Sequence, residues 1–226
     1  MFKHDDILIV GDSFAMHRDE SSDWPKLLCN LLTDSELSPR GRGCAGASWW
    51  SSRRELIKEF AIKVPKVLVI CHTESMRIPS DSDFGLNVSS VSNWKVVVPT
   101  EYKINYVPAV CEAARMYYNY LASSDYANWT QLAWYHELEQ IINEYNVPRV
   151  IHLHCFSQQQ GNTAMYCFKV GQTEQVALWD LCRDVDQSTA RNHFTVEQNI
   201  KIAHAINNAL IAYPQVSGWV NMNLSG

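Results

Sequence analysis

The chain has 226 residues, of which 46% are hydrophobic, and a formal net charge of −5. This length and apolar content predict one domain with a sizeable core. The acidic balance leaves no broad basic surface, which argues against a nucleic acid as partner. No apolar run approaches the roughly 18 residues that a membrane span requires, so we also expect no membrane partner.

The cysteines and the first residues bear on the compartment. Seven cysteines, an odd number, are scattered along the chain without a C-x-x-C pair. Free cysteines inside apolar runs behave as small hydrophobic side chains, and this pattern is typical of a reducing compartment rather than of a disulfide scaffold. The amino terminus shows no signal-peptide pattern. We therefore expect a cytoplasmic protein.

The first part of the chain alternates strand and helix patterns. A short apolar run from Ile7 to Val10 predicts a buried strand. Asp23 as N-cap and Pro25 in the first turn predict the start of a helix. A weak strand pattern from Ser38 to Cys44 then precedes a helical pattern from Trp49 to Ile62. This alternation is typical of a parallel α/β sheet.

The alternation continues around one long interruption. Further buried strands are predicted from Val67 to Cys71 and from Val150 to His154. Residues 75–125 exceed a simple crossover, and we interpret them as an insertion at the carboxyl edge of the sheet, with a helix from Val107 to Leu121. Another helix is predicted from Trp129 to Tyr145.

The last helix has the clearest start signal. Thr195 with Gln198 three positions later forms a capping-box pattern, and apolar residues follow with helical spacing. Packing of this helix would bring the loop before it back to the sheet edge. The whole pattern predicts a single α/β domain over residues 1–226 with a central parallel sheet and a helical insertion.

Gly11-Asp12-Ser13 follows the first strand and is the strongest candidate for a chemical site. Reactive groups in open parallel sheets collect at the carboxyl ends of the strands. A serine leading into a helix is usually a cap, and a serine hydroxyl attacks only with a base in reach. His193, just before the last helix, is the candidate base.

In these residues the chain resembles the SGNH (GDSL) hydrolase family. The first block is Ile9-Val-Gly-Asp-Ser-Phe-Ala15, and the last is Asn192-His-Phe-Thr195. Cys44-Ala-Gly-Ala-Ser48 falls where that family keeps its oxyanion glycine. The order and spacing agree from residue 7 to about residue 211. The resemblance implies a flavodoxin-like three-layer α/β/α sandwich.

The resemblance also implies roles for individual residues. Ser13 would attack an ester carbonyl with His193 as base, and the backbone N–H groups of Ser13 and Gly46 would stabilise the oxyanion. The family's asparagine after the third strand is absent, and Thr73 or His72 could donate in its place. Asp12 and Asn192 would contact the substrate.

The acid of the family's triad is also missing. The family places an aspartate three residues before the histidine, and this chain has Ala190 there. Asp186, or alternatively Asp184, could orient the imidazole if the loop folds back. A third alternative is a Ser13–His193 dyad whose histidine is held by a backbone carbonyl.

The function implied by the resemblance is hydrolysis of an ester, with an acetyl or short acyl group, through an acyl-serine intermediate. This chemistry needs neither a metal nor an organic cofactor, and its substrate would be a small-molecule or glycan ester. The alternative is a catalytically impaired binding or interaction module on the same fold. A compact chain with a divergent third block also resembles virus-encoded and bacterial outliers of the family.

Three other sets of residues favour packing over chemistry. Histidines His72, His152 and His154 lie at strand ends, but no recognisable ligand spacing completes a metal site. Cys71 and Cys155 fit buried packing better than nucleophilic roles. The helically spaced aromatic residues, interpreted as core, are Trp129, Trp134 and Tyr135.

Overall fold

A mixed α/β fold is observed in the computed structural model of the chain. The residues it describes are 2–16, 23–41, 43–44, 48–77, 108–155, 178–182, 193–212 and 217–219. The strands in them are β1 (Ile7–Asp12), β2 (Gly43–Cys44), β3 (Val67–His72), β4 (Val150–His154) and β5 (Ser217–Trp219). They form one parallel sheet in the order β2-β1-β3-β4-β5. The parallel α/β sheet expected from the sequence is confirmed.

Helices connect these strands. Those in the described residues are α1 (Trp24–Thr33), α2 (Trp49–Ile62), α3 (Pro108–Tyr120), α4 (Ser124–Glu144), α5 (Leu178–Cys182) and α6 (Val196–Ala212). Two single 3-10 turns, His4–Asp6 and Ser13–Ala15, flank β1. No helix in the described part of the chain has both the length and the apolar character needed to cross a membrane.

Apolar side chains pack on both faces of the sheet. Alternate residues of β1, β3 and β4 point to opposite faces, as expected of strands buried on both sides. One apolar cluster joins the sheet to α1, α5 and α6, and the other joins it to α2 and α4. All the carboxyl ends of the parallel strands therefore meet at one edge of a sheet that helices cover.

Helix boundaries confirm the predicted starts of α1 and α6. Asp23 occupies the N-cap of α1 with Pro25 in its first turn. The box before α6 is formed, because Thr195 N–H donates to Gln198 Oε1 at 2.9 Å and Gln198 N–H donates to Thr195 Oγ1 at 3.2 Å. The weak strand pattern corresponds to a bridge between Leu8 and Arg40 followed by the two residues of β2.

Helix α4 differs from the prediction at its start. It begins at Ser124, five residues before the predicted Trp129, and Ser123 Oγ accepts from the Tyr126 N–H at 3.3 Å. The expectation that Trp129 belongs to the core is wrong, since it is 64% exposed. It lies outside the buried stripe of α4, which contains Trp134 and Tyr135 as expected.

Gly11 allows β1 to lie close to β3 at the site edge. Its φ is +138°, and a Cβ there would lie 2.1 Å from the carbonyl oxygen of Cys71. Gly11→Ala should therefore lower the free energy of unfolding by at least about 3 kcal/mol, through strain and displaced backbone. Urea unfolding measures this. Exposed Asn119→Ala on α3 is the control, and a Gly11→Ala cost below about 1 kcal/mol would contradict the close approach.

Candidate active site

Ser13 lies at the carboxyl end of β1. It is the first residue of the 3-10 turn that follows the strand, and β1 lies between β2 and β3. Gly43 of β2 lets that strand approach closely, because a Cβ there would lie 2.3 Å from the Asp12 carbonyl oxygen. The turn is also held by α1, because Trp24 Nε1 donates to the Phe14 carbonyl at 2.7 Å. Ser13 is therefore presented at the sheet edge by a well-anchored turn.

His193 is brought to Ser13 by the docking of α6. Its Nε2 lies 3.0 Å from Ser13 Oγ, although the two residues are 180 positions apart. The ring packs beside Phe14 with centroids 4.8 Å apart, and the next residue, Phe194, is fully buried. The backbone of His193 has a φ of +71°, a left-handed conformation that histidine adopts more readily than most residues. The structure thus joins the two residues that the sequence singled out.

Helix α6 is fixed against α1 by a buried amide. Asn199 Oδ1 accepts from the Trp24 N–H at 2.9 Å, and Asn199 Nδ2 donates to the Thr195 carbonyl at 3.1 Å. Asn199 is fully buried. The same Trp24 anchors the Ser13 turn through its indole. One residue of α1 therefore supports both halves of the Ser13–His193 pair.

Asp12 is expected to face substrate and instead faces its own neighbours. The residue is fully buried. Its Oδ1 accepts from the Ser13 hydroxyl at 2.7 Å and from the Ser13 backbone N–H. Its Oδ2 accepts from Thr73 Oγ1 at 2.8 Å and from Arg77 Nη1 at 2.5 Å. The carboxylate therefore acts inside the site, on the serine.

Those expected oxyanion donors that lie in the described residues, Ser13, Thr73 and His72, make other contacts in this structure. The Ser13 N–H donates to Asp12 Oδ1, and the Thr73 hydroxyl donates to Asp12 Oδ2. His72 hydrogen-bonds to His152, with His72 Nε2 and His152 Nδ1 2.8 Å apart, and its ring contacts Tyr135 on the α4 side of the sheet. His72 is thus held away from Ser13.

Three histidines form a stack beneath α4. The rings of His72 and His152 are parallel with centroids 5.1 Å apart, and His154 lies 6.1 Å from His72. Burial lowers the pKa of His152 to about 3 and that of His154 to about 4. Burial and the neighbouring rings hold the pKa of His72 well below its ordinary value. Among the residues the structure describes, no group of three or more His, Cys, Asp or Glu side chains could hold a metal ion.

The cysteines beneath the site are packed. Cys71 and Cys155 are fully buried, on neighbouring strand ends. Burial, together with the adjacent Cys71 thiol, raises the pKa of Cys155 well above its usual value. A thiol held in its protonated form is a poor nucleophile. The packing interpretation of both residues agrees with their burial.

Four predicted site residues lie outside the described residues: Gly46, Asp184, Asp186 and Asn192.

The structure also adds a residue that sequence reasoning did not single out. Arg77 is 4% exposed and pairs with both Asp12 and Glu74, the latter at 3.1 Å. A buried carboxylate after a strand signals that some cation must reach it, but not which one.

The geometry suits nucleophilic chemistry at a strand end. A hydroxyl within hydrogen-bond distance of an imidazole nitrogen is the arrangement in which histidine can accept the serine proton. No protein-family model, no curated protein and no solved structure matches this chain. The family resemblance therefore stays a prediction from the sequence motifs.

Proposed function

We propose that the chain is a serine hydrolase of SGNH type that cleaves an ester with an acetyl or short acyl group. The observation that carries the proposal is the 3.0 Å separation of Ser13 Oγ and His193 Nε2. The strand order β2-β1-β3-β4-β5 supports a flavodoxin-like three-layer sandwich, in which ligands gather where β1 meets β3. The substrate proposed is a small-molecule or glycan ester.

The reaction follows from the positions of these two side chains. Ser13 Oγ attacks the ester carbonyl carbon while His193 Nε2 takes the hydroxyl proton. The bond from that carbon to the alkoxy oxygen then breaks, and the alcohol leaves with the proton from His193. Water attacks the acyl-serine with His193 again as base, which releases the carboxylic acid and restores Ser13.

Two contacts must change during this reaction. The Ser13 hydroxyl and the Ser13 N–H both donate to Asp12 Oδ1 in the structure. Attack requires the hydroxyl proton to pass to His193, and oxyanion stabilisation by the Ser13 N–H requires that donor to turn from Asp12 to the substrate oxygen. We assign the second oxyanion donor to Gly46 as the family resemblance implies.

The second candidate is a non-catalytic binding module on the same fold. The engagement of Ser13 by Asp12 favours it, since both serine donors are occupied in the structure. In this candidate Ser13 is a turn residue and His193 its hydrogen-bond partner. The two candidates differ in whether Ser13 forms a covalent bond with an acyl or phosphonyl group.

A fluorophosphonate probe separates the candidates. The wild-type protein should be labelled on Ser13 and should hydrolyse p-nitrophenyl acetate, and Ser13→Ala should lose both activities. Ser124→Ala, which changes an exposed serine at the start of α4, should be labelled as the wild type is. Labelling that persists in Ser13→Ala would reject Ser13 as nucleophile. A wild type without labelling or turnover would favour the binding module.

A further inference from the structure

The Asp12 carboxylate is an electrostatic obstacle to the proposed reaction. It lies 2.7 Å from Ser13 Oγ in a fully buried position. Negative charge develops on the serine oxygen and on the substrate oxygen during attack. Like charges repel strongly where water is excluded, so an uncompensated carboxylate there would raise the energy of the transition state.

Arg77 supplies the opposite charge on the far side of that carboxylate. Its Nη1 lies 2.5 Å from Asp12 Oδ2, and the side chain is 4% exposed. The segment that carries it is fixed at several points. Gln131 Nε2 donates to the Thr73 carbonyl at 2.7 Å, and Tyr118 Oη donates to the Met76 carbonyl at 2.8 Å. Helices α3 and α4 therefore set where the guanidinium lies.

Two directional bonds also fix how the carboxylate is turned. Thr73 Oγ1 and Arg77 both bind Oδ2, which leaves Oδ1 pointing at Ser13. With Oδ1 in that place, Asp12 accepts from the N–H and the hydroxyl of Ser13, and His193 Nε2 lies 3.0 Å from the same Oγ. A guanidinium suits this role, because its planar fork fixes direction as well as charge.

We propose that Arg77 is a positioning residue for Ser13, acting through Asp12. It compensates the charge of Asp12, so that the serine oxygen can gain negative charge at lower cost when its proton passes to His193. The inference rests on the proposed function. It concerns a residue that the SGNH resemblance does not assign and that pairs with Asp12 and Glu74.

The alternative is that the Asp12–Arg77 pair only stabilises the fold. A second ion pair of low exposure offers a matched comparison. Arg40 Nε donates to Glu59 Oε2 at 3.1 Å, with side-chain exposures of 14% and 11%. It lies by the amino end of β1, away from Ser13. Losing either arginine removes the guanidinium from a carboxylate of low exposure, but only one of these carboxylates contacts the serine.

The test is the rate of fluorophosphonate labelling of Ser13, measured per folded molecule. Arg77→Met should label about 10-fold to 100-fold more slowly than wild type. Arg77→Lys retains the charge without the planar guanidinium, and its labelling rate should lie between those of the wild type and Arg77→Met. The double variant Asp12→Asn with Arg77→Met removes both charges and should label faster than Arg77→Met. Arg40→Met should label at the wild-type rate even where it lowers the melting temperature.

The outcomes separate the inference from the proposed function. A wild type that is not labelled on Ser13 overturns both. A labelled wild type whose rate is unchanged in Arg77→Met overturns the inference alone, as does a double variant no faster than Arg77→Met. Should Arg77→Met not fold, Arg77→Lys decides: a slower rate supports the positioning role, and the wild-type rate overturns it.

Discussion

Alanine at Ser13 or at His193 is expected to lower kcat for ester hydrolysis by about 10⁴-fold to 10⁶-fold. Ser13 Oγ and His193 Nε2 lie 3.0 Å apart and form one proton-transfer unit. Removing the serine deletes the nucleophile, and removing the histidine leaves a hydroxyl that is weakly nucleophilic without its base. Steady-state hydrolysis of p-nitrophenyl acetate at pH 7.5 or so measures both effects.

The double variant provides the sharper check of this unit. Because the two side chains act together, Ser13→Ala with His193→Ala should be no slower than either single variant. If the two residues contributed independently, the fold loss in kcat of the double variant would be the product of the two single losses. His193→Asn provides a control for backbone strain, since asparagine tolerates the left-handed conformation at position 193. If His193→Asn retained wild-type turnover, His193 would not be the base.

The second large effect is a loss of stability in mild acid. His72, His152 and His154 are held neutral in the folded protein, with the pKa of His152 at about 3 and that of His154 at about 4. Unfolding returns each ring to its ordinary pKa of about 6.5, so below that pH the unfolded chain binds more protons. Stability is therefore retained above about pH 6.5 and falls as the pH falls toward about 4.

The expected loss in the free energy of unfolding follows from the uptake of one proton per histidine on unfolding. At pH 5 a ring that stays neutral in the folded state costs about 2 kcal/mol, or about 6 kcal/mol for three. His152 and His154 keep part of their surface in water, so we expect a combined loss of about 4 kcal/mol between pH 7 and pH 5. Urea unfolding at intervals across that range measures it.

A variant isolates the histidine contribution. His154→Gln removes one titrating ring and should reduce the loss of stability between pH 7 and pH 5 by about 1 kcal/mol, whatever its effect on stability at pH 7. His204→Gln, at an exposed position on α6, is the matched control. Asp6 takes up its proton only at lower pH, because hydrogen bonds from Lys63 and Lys3 lower its pKa against the opposing effect of burial. A flat profile from pH 7 to pH 5 would contradict the prediction.

The Ser13–His193 pair could be anticipated because both residues sit beside strong local signals. A buried strand followed by Gly11 gives the position of Ser13, and the capping box of Thr195 and Gln198 gives the start of α6. Such signals depend on a few neighbouring residues. Sequence alone therefore placed two residues that meet only in the folded chain.

The Asp12–Arg77 pair and the true face of α4 could not be anticipated in the same way. Nothing in the segment after β3 distinguishes Arg77 from other cations until α3 and α4 fix that segment. Likewise Trp129 fits the spacing of a core stripe, but the register of α4 on the sheet leaves it exposed. Both outcomes are set by tertiary packing, which single-sequence patterns do not encode.

The distance along the chain between Ser13 and His193 has a consequence for folding. The two residues are 180 positions apart in a chain of 226, so their contact closes most of the chain into one loop. Native contacts of such high sequence separation form late, because chain entropy opposes them until intervening elements have packed. A chain still being synthesised can therefore complete β1 and its serine turn while remaining without a base. The proposed chemistry would switch on only when α6 docks, which makes covalent labelling of Ser13 a reporter of completed folding.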